Sequence, residues 1–355
     1  MPIIDFANFT FTAEEIRNLN ELMRLKVIEA GPFAQFHDVH TGIVTGKRIG
    51  WLGEMGMLGK ASRGCDPAVD VAEINTVEKL WDPKEFDVRL KQCYEDIEST
   101  MAVYARKQGT AVADLTNTDY MNIILEMAGK SMEKFMWRLW VMDTTHSNVG
   151  SGAGSELLTA GVDPTFFTIV NGYWNQIEAI IAAAPMQHTI LTANAEATTA
   201  LQFSELTPAA AFNAVMDATY NMRTELVTET NKFGIITRYF ANQVKRNFQT
   251  LNTHPDAYEA TIDGVPVLKV NGVDFVISDD LTELIVANFN LGANHYLPHR
   301  AVITTKENLA FGIEGESTFA TFDVWYEKML RSTYIDLIDR IDVKIMQDHL
   351  IHAIY

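Results

Sequence analysis

Two glycine-rich fragments have spacings close to those of nucleotide-binding motifs. The segment 42–48 (Gly-Ile-Val-Thr-Gly-Lys-Arg) resembles a phosphate loop, but it is one residue short. Arg48 also stands where such a loop needs a Ser or Thr to bind magnesium. The segment 150–155 lacks the last glycine of the dinucleotide fingerprint and follows a predicted helix, whereas the fingerprint follows a strand. Neither fragment therefore predicts a nucleotide site, and we expect no cofactor.

Histidines and carboxylates form three short groups that could suggest a metal site. The groups are His37 with His40, His295 with His299, and Asp348 with His349 and His352. A metal site in a protein commonly needs three or four ligands and supporting partners around them. No group offers a complete set, so we predict surface or interface histidines and no metal.

Nucleophilic catalysis is not indicated either. The chain has no G-x-S-x-G elbow and no H-E-x-x-H helix, and Cys65 and Cys93 stand alone outside any known nucleophile signature. Asp279 and Asp280 are predicted to cap a helix and not to form an acid/base pair. We therefore predict no catalytic residue and a structural role.

Composition narrows the class of protein further. The 355 residues suggest two packed lobes, and 47% hydrophobic residues are enough for a sizeable core. A formal net charge of -18 disfavours a protein that grips nucleic-acid phosphates. The segment 1–12 has no basic, apolar signal pattern, and no apolar run approaches the ~18 residues of a membrane span.

The elements that would organise the chain begin with an amphipathic helix. Thr12 and Glu15 form a capping box, and the helical pattern continues to Gly31-Pro32. Seven glycines then punctuate the segment 41–87, which predicts a long, pliable hairpin or loop. We expect a partner subunit to cover its apolar residues, although burial in the main core is the alternative. The proposed intersubunit contacts are Trp51, Leu52, Met57 and Leu58.

Helical spacing dominates the middle of the chain. It predicts helices over 89–108 and over 118–142, the second long enough to act as a central strut. A flexible connector at 148–155 marks a candidate domain boundary. Asp163-Pro164 and Thr207-Pro208 are then predicted to start two further helices, the first of which Pro185 stops.

Strand patterns take over after Gly234. Asp263-Gly264 and Asn271-Gly272 are strong hairpin turns, so 258–262, 265–270 and 273–278 are predicted to form a three-stranded meander. A strand is also predicted at 235–240, and helices at 241–252 and 281–289. Further strands are predicted at 300–305, 309–312, 317–326 and 341–346, with an apolar end tied into a sheet or interface.

This order of elements resembles a known family. The segments Pro298-His-Arg-Ala-Val-Ile-Thr-Thr-Lys-Glu-Asn-Leu-Ala-Phe-Gly312, Phe322-Asp-Val-Trp-Tyr326 and Ile341-Asp-Val-Lys-Ile345 carry the resemblance most specifically. They resemble the major capsid proteins of tailed bacteriophages, especially phages of gut Bacteroidetes-type hosts. That family has the α+β Hong Kong phage capsid fold, which encapsulin shells share.

The resemblance implies a division of the chain into family segments. These are an N-terminal arm at 1–40, an extended E-loop at 41–87, a peripheral (P) domain beginning at 88–160 with its spine helix at 118–142, an axial (A) domain at 161–297, and a C-terminal return to the P-domain sheet at 298–355. Many relatives carry a long N-terminal scaffolding segment, whereas only a short arm precedes the loop here. We expect no chemical crosslink between subunits.

The same resemblance implies a function and partners. The chain would assemble into hexamers and pentamers of an icosahedral shell around double-stranded DNA, with only weak contact to the genome. Portal, scaffolding and decoration proteins would be further partners, and no membrane is involved. The protein would be made in the bacterial host cytoplasm and reside in the virion capsid. The alternative is an encapsulin-type nanocompartment that stores a cargo enzyme.

Overall fold

The computed structural model describes most of the chain. The described residues are 13–24, 28, 32–55, 74–93, 117–148, 157–251, 253, 255, 258–262, 265–316, 319, 321–327, 329 and 332–355. Within them helices and strands are mixed throughout, which confirms the predicted α+β class.

Nine α-helices lie in the described residues. They are α1 (Ala13–Arg24), α2 (Pro32–Phe36), α3 (Asn117–Arg138), α4 (Tyr173–Ala183), α5 (Thr199–Glu205), α6 (Pro208–Asn221), α7 (Thr224–Thr228), α8 (Arg238–Thr250) and α9 (Asp279–Asn288). Short 3-10 turns stand at Pro164–Phe166, Pro185–Gln187, Thr192–Ala195 and Lys306–Asn308.

Sixteen strands lie in the same part of the chain. They are β1 (Asp38–Thr41), β2 (Arg48–Met55), β3 (Ile74–Leu80), β4 (Lys84–Cys93), β5 (Ser147–Asn148), β6 (Leu157–Leu158), β7 (His188–Thr189), β8 (Lys232–Thr237), β9 (Glu259–Ile262), β10 (Val265–Val270), β11 (Val273–Ser278), β12 (Ala301–Thr305), β13 (Leu309–Ile313), β14 (Thr321–Glu327), β15 (Ser332–Ile345) and β16 (His352–Ile354).

The strands form two larger sheets. One is built around the 14-residue strand β15, which pairs with β13 and β14 on one side and with β4 on the other, while β1 adds to β13. The other has seven strands in the order β7-β16-β12-β8-β11-β10-β9. Two short pairs, β2 with β3 and β5 with β6, stand apart from both sheets.

The seven-stranded sheet separates two hydrophobic cores. Ile235 and Val302 point into a core shared with α3, α4 and the β15 sheet. Their neighbours Ile236 and Ile303 point into the other core, which α6 and α8 cover. Successive side chains of a strand alternate between faces, so a sheet that is covered on both faces needs apolar residues at consecutive positions. The continuous apolar run Ala301-Val-Ile303 meets this requirement.

Several sequence predictions hold. The three-stranded meander forms as expected, with β9, β10 and β11 antiparallel in sequence order. Thr207 caps α6 by accepting a hydrogen bond from the backbone N–H of Ala210, and Pro208 is the first helical residue. A long helix is present near the expected place, although α3 ends at Arg138 and not at residue 142.

Two helix predictions are wrong, because tertiary contacts override the local sequence pattern. The predicted helix over 89–108 is wrong where the structure describes it, because residues 84–93 form β4 and pair with ten residues of β15. The helix predicted from Asp163 breaks into a 3-10 turn and α4, with Gly172 between them. A Cβ at Gly172 would lie 2.3 Å from the carbonyl oxygen of Leu139, so the close approach of α3 requires glycine there.

Two boundary predictions also need correction. Ser278, not Asp279 or Asp280, caps α9 by accepting from the backbone N–H of Leu281, and the two aspartates occupy the first helical turn. Pro32 begins α2 where it was expected only to end the first helix. The segment 298–355 contributes to both large sheets, because β12 and β16 join the seven-stranded sheet.

Candidate functional site

The predicted loop at 41–87 contains an antiparallel hairpin. Strands β2 and β3 pair with each other, with Trp51 opposite Val77 and Leu52 opposite Thr76. The register shifts between Leu52 and Met55. Within the described residues the hairpin pairs with neither large sheet. Two of the predicted contact residues, Trp51 and Leu52, thus lie on this hairpin, whereas Met57 and Leu58 lie outside the described residues.

The root of the hairpin, by contrast, is inserted in the body of the protein. Trp81 follows β3 directly, is only 2% exposed and packs with Ile43, Ala310 and Met346. Its backbone N–H donates to the carbonyl of Lys47 (3.1 Å), and its own carbonyl accepts from the N–H of Gly46 (2.9 Å). The indole thus closes the hairpin and holds it to the β15 sheet.

Glycine at position 312 makes room for this root. A Cβ there would lie 2.7 Å from Cδ1 of Ile43 and 2.8 Å from Cζ3 of Trp81. Real Cβ atoms do not approach other carbons so closely, so the backbone of β13 can lie under the indole only without a side chain. Gly312 lies in the segment 298–312, which carries the family resemblance. Its close contact with Ile43 and Trp81 is a packing reason for glycine at this position.

Charged groups tie the hairpin to distant parts of the chain. Lys79 of β3 contacts Asp348 near the chain end, with Nζ 2.6 Å from Oδ1. Just beyond the root, the backbone N–H of Asp82 donates to Oδ2 of the buried Asp342 (2.8 Å). Burial raises the pKa of Asp342, and hydrogen bonds and nearby Lys344 partly offset this effect. Asp348 pairs with Lys79, and it does not form a metal-binding group with His349 and His352.

The pair His37 and His40 does not form one site. His37 is fully buried and donates from Nδ1 to the carbonyl of Phe33 (2.7 Å), while its Nε2 accepts from Nε1 of Trp140 (3.0 Å). Burial lowers the pKa of His37 to about 3, so the ring is neutral. His40 is half-exposed and pairs with Asp38 at 3.0 Å. His37 serves packing, because a metal could reach neither nitrogen without breaking a hydrogen bond.

His295, His299 and His352 are also buried, so the prediction of surface or interface histidines is wrong for them as it is for His37. His299 is fully buried, its Nε2 lies 3.0 Å from the carbonyl of Gln202, and burial lowers its pKa to about 4. His352 lies 2.9 Å from the hydroxyl of Thr189 and its pKa is also lowered to about 4 by burial. Among the described residues, no three His, Cys, Asp or Glu side chains lie close enough together to hold a metal.

Side-chain amides make a set of contacts that sequence analysis did not predict. Each amide pairs with backbone N–H and C=O groups as a strand would. The pairs are Asn20 with Phe319, Gln176 with Val343 and Ile345, Asn194 with His299, Gln202 with His295, and Asn308 with Gln347. No spacing pattern announces such contacts, because each joins residues that are far apart in sequence or on irregular loops.

The Asn20 contact fastens the N-terminal helix to the β15 sheet. The amide Nδ2 donates to the carbonyl of Phe319 (3.1 Å), and Oδ1 accepts from its N–H (2.8 Å). Arg24 adds a hydrogen bond from Nη2 to the carbonyl of Gly315 (3.1 Å). The segment before β1 is therefore docked onto the linker between β13 and β14.

Apolar side chains remain exposed at several places outside the hairpin. Met186 and Ile190 flank the edge strand β7, and Trp325 stacks on Tyr334 at 5.3 Å on an open face of the β15 sheet. In the described part of the chain, no helix is long and apolar enough to cross a membrane.

Comparison with known proteins identifies the fold. The chain is similar to a chain in the satellite phage P4 procapsid structure that includes the size determination (Sid) protein, with a TM-score of 0.56 and 11% identity. The match covers 98% of this chain and 93% of that one. No protein-family model matches the chain, and no curated protein matches it.

Two further solved structures are similar to this chain with TM-scores below 0.5. A structure from Gordonia phage Cozz has a TM-score of 0.49 and 12% identity, covering 91% of this chain and 85% of that one. The holo-SrpI encapsulin complex from Synechococcus elongatus has a TM-score of 0.49 and 9% identity, covering 91% and 87%. The class is nevertheless defined: this chain has the tailed-phage major capsid fold, as its sequence predicts.

Proposed function

We propose that the chain is the major capsid protein of a tailed bacteriophage, which assembles into hexamers and pentamers of an icosahedral shell around double-stranded DNA. The observation that carries this proposal is the extent of the fold match, which spans nearly the whole of both this chain and the procapsid chain. A shared whole-chain fold preserves the order of the surfaces that subunits present to one another. Closed symmetric shells reuse one such set of surfaces many times.

The hairpin supports this proposal. It is rooted by Trp81 in the body of the subunit, yet its strands pair only with each other within the described residues. The sequence gives its first strand the apolar residues Trp51 and Leu52. We assign it to the E-loop of the family, and Trp51, Leu52, Met57 and Leu58 to contact with a neighbouring subunit.

The remaining segments of the family follow in the proposed order. The arm is assigned to 1–40, the E-loop to 41–87, the first part of the P-domain to 88–160, the A-domain to 161–297 and the C-terminal return to 298–355. The pairing of β12 and β16 with the A-domain strands refines this division, because the return segment then joins both lobes.

The proposed role is structural and not catalytic. The net charge of -18 favours only weak contact with packaged DNA, because like charges repel. Portal, scaffolding and decoration proteins are proposed partners, the virion capsid is the proposed location, and the host cytoplasm is the site of synthesis. A gut Bacteroidetes-type host remains a prediction from the sequence resemblance. No observation on the described residues favours the cargo-compartment alternative.

Assembly of the purified chain tests the proposal. The chain is expressed alone in bacteria and examined by electron microscopy and mass photometry over a range of concentrations and crowding agents. We expect rings of five or six subunits or closed shells of uniform size. A chain that stays monomeric at its highest soluble concentration, with and without crowding agent, would contradict the proposal.

A further inference from the structure

The last residue of the long helix α3, Arg138, lies against three aromatic rings. Its guanidinium carbon is 5.0 Å from the ring centre of Phe135, 5.4 Å from that of Phe166 and 5.7 Å from that of Phe167. Phe135 precedes it by one helical turn, while Phe166 and Phe167 come from the 3-10 turn that Asp163 caps. The aromatic rings hold the side chain in one place.

Arg138 has no partner of opposite charge among the described residues. Its Nε–H group is buried and donates no hydrogen bond there. Lys134, one turn earlier on the same helix, differs in this respect, because its Nζ lies 3.1 Å from a carboxylate oxygen of Glu283. Among the described residues, Lys134 thus has a carboxylate partner and Arg138 does not.

An unpaired, half-buried cation is unfavourable in a subunit by itself. Burial removes water from the guanidinium without supplying a counter-charge, and it lowers the pKa of Arg138 to about 10. The group nevertheless stays protonated at neutral pH. The aromatic faces offset part of the lost hydration, since each attracts a cation. A carboxylate from outside the subunit would supply the full negative charge that the aromatic rings lack.

The surface beside Arg138 is suited to such a contact. Phe166 is 54% exposed although it touches the guanidinium. Arginine and large aromatic residues are enriched among the residues that dominate binding energy at interfaces. A second copy of the chain is a rich source of carboxylates, because each copy has 46 Asp and Glu against 28 Lys and Arg. DNA phosphate is disfavoured as the partner, because the same excess of acid repels it.

We infer that Arg138 and Phe166 form an intersubunit contact that receives an Asp or Glu side chain of a neighbouring copy. This inference rests on the proposed function, since it requires that copies of the chain assemble. The fixed guanidinium would bind both oxygens of the incoming carboxylate, and the exposed face of Phe166 would shield the pair from water.

A zero-length crosslink identifies the partner directly. Subunits with Arg138→Lys are prepared with light and with heavy isotopes, mixed, assembled and treated with a carbodiimide, which joins an amine to a carboxylate. We expect mass spectrometry to find position 138 joined to an Asp- or Glu-containing peptide in pairs of mixed isotope. Wild-type particles, which have no amine at position 138, give the background. Links confined to one copy, or a link to DNA phosphate only, would overturn the inference.

Removal of the charge gives an independent measurement. We expect Arg138→Leu to lower the yield of particles by about tenfold. The unassembled variant should unfold at the same or a higher temperature, because a desolvated charge has been removed. The matched control is Arg223→Leu, which removes an exposed arginine already paired with Glu225. Its yield should stay near that of wild type.

The outcomes separate the two proposals. Full yield from Arg138→Leu, beside normal wild-type particles, would overturn the intersubunit contact and leave the capsid function standing. Failure of the wild-type chain to form any assembly would overturn the capsid function, and the contact with it.

Discussion

The root and the stem of the β2–β3 hairpin are adjacent in the chain but have different surroundings. The root residues Ile43 and Trp81 are 1% and 2% exposed and lie under the β15 sheet. Within the described residues, the backbones of the stem strands pair only with each other. A two-stranded hairpin by itself is at best marginally stable in water. We therefore expect the stability of the subunit to depend on the root, whereas the stem is the proposed contact with a neighbouring subunit.

Four measurements test this difference between root and stem. The substitution with the largest expected effect on the stability of the subunit lies at the root. Trp81→Ala should destabilise the isolated subunit by about 3–5 kcal/mol, because it empties a buried site beneath the hairpin. Denaturant unfolding measures the loss. A destabilisation as small as that of an exposed site would show that the root does not belong to the core.

Acid should also destabilise the subunit, through buried histidines outside the root. His37, His299 and His352 have pKa values lowered by burial to about 3, 4 and 4. The unfolded chain binds protons from near pH 6.5 downward while the folded chain does not. Stability is therefore intact above pH 6.5 and falls as the pH drops toward 4.

Unfolding curves at a series of pH values measure this loss. The variant His352→Gln should have a smaller slope, because it removes one of the three rings whose pKa is lowered by burial. Stability that is independent of pH between 6.5 and 4 would contradict burial of the three neutral rings.

A smaller effect is expected where the N-terminal helix is fastened. Asn20→Asp replaces the amide by a carboxylate that cannot donate to the carbonyl of Phe319. We expect a loss of about 1–3 kcal/mol and faster hydrogen exchange at the amide of Phe319. Asn18→Asp, an exposed change of the same kind on the same helix, should have no such effect. Equal exchange in the two variants would argue against the clamp.

The smallest effect on stability should come from the stem. Trp51→Ala is expected to change the unfolding free energy of the isolated subunit by less than about 0.5 kcal/mol, as for a surface substitution. Assembly should nevertheless fail, since the partner subunit loses an apolar contact. Gradient sedimentation and microscopy measure the yield of particles. Normal particles from this variant would remove Trp51 from the proposed interface.

Local sequence signals succeeded wherever a short segment decides its own structure. Asn271-Gly272 gave the hairpin turn because few residues other than Asn and Gly adopt positive φ, and both do so here, with φ of 48° and 77°. Thr207-Pro208 marked the start of α6 because its capping side chain and fixed φ act within one turn. The β-favourable residues at 300–305 likewise predicted a strand, which forms at Ala301–Thr305.

Signals failed where distant neighbours override local preference. Residues 89–93 have apolar spacing compatible with a helix, yet ten residues of β15 hold 84–93 as a strand. Gly172 interrupts a predicted helix because α3 passes too close for a side chain. The resemblance to phage capsid proteins still predicted the fold, because it depends on the order of the elements and less on their individual boundaries.

By itself the sequence determined the α+β class, the turns, the helix starts and the presence of an apolar, glycine-spaced hairpin, because these depend on backbone preferences and on short-range periodicity. Only the tertiary structure decided that Trp81 packs into the root, that amide side chains such as Asn20 pair with distant backbone groups, and that Arg138 has no counter-charge among the described residues. Each of these facts depends on which remote residues meet, and a linear pattern does not encode that information locally.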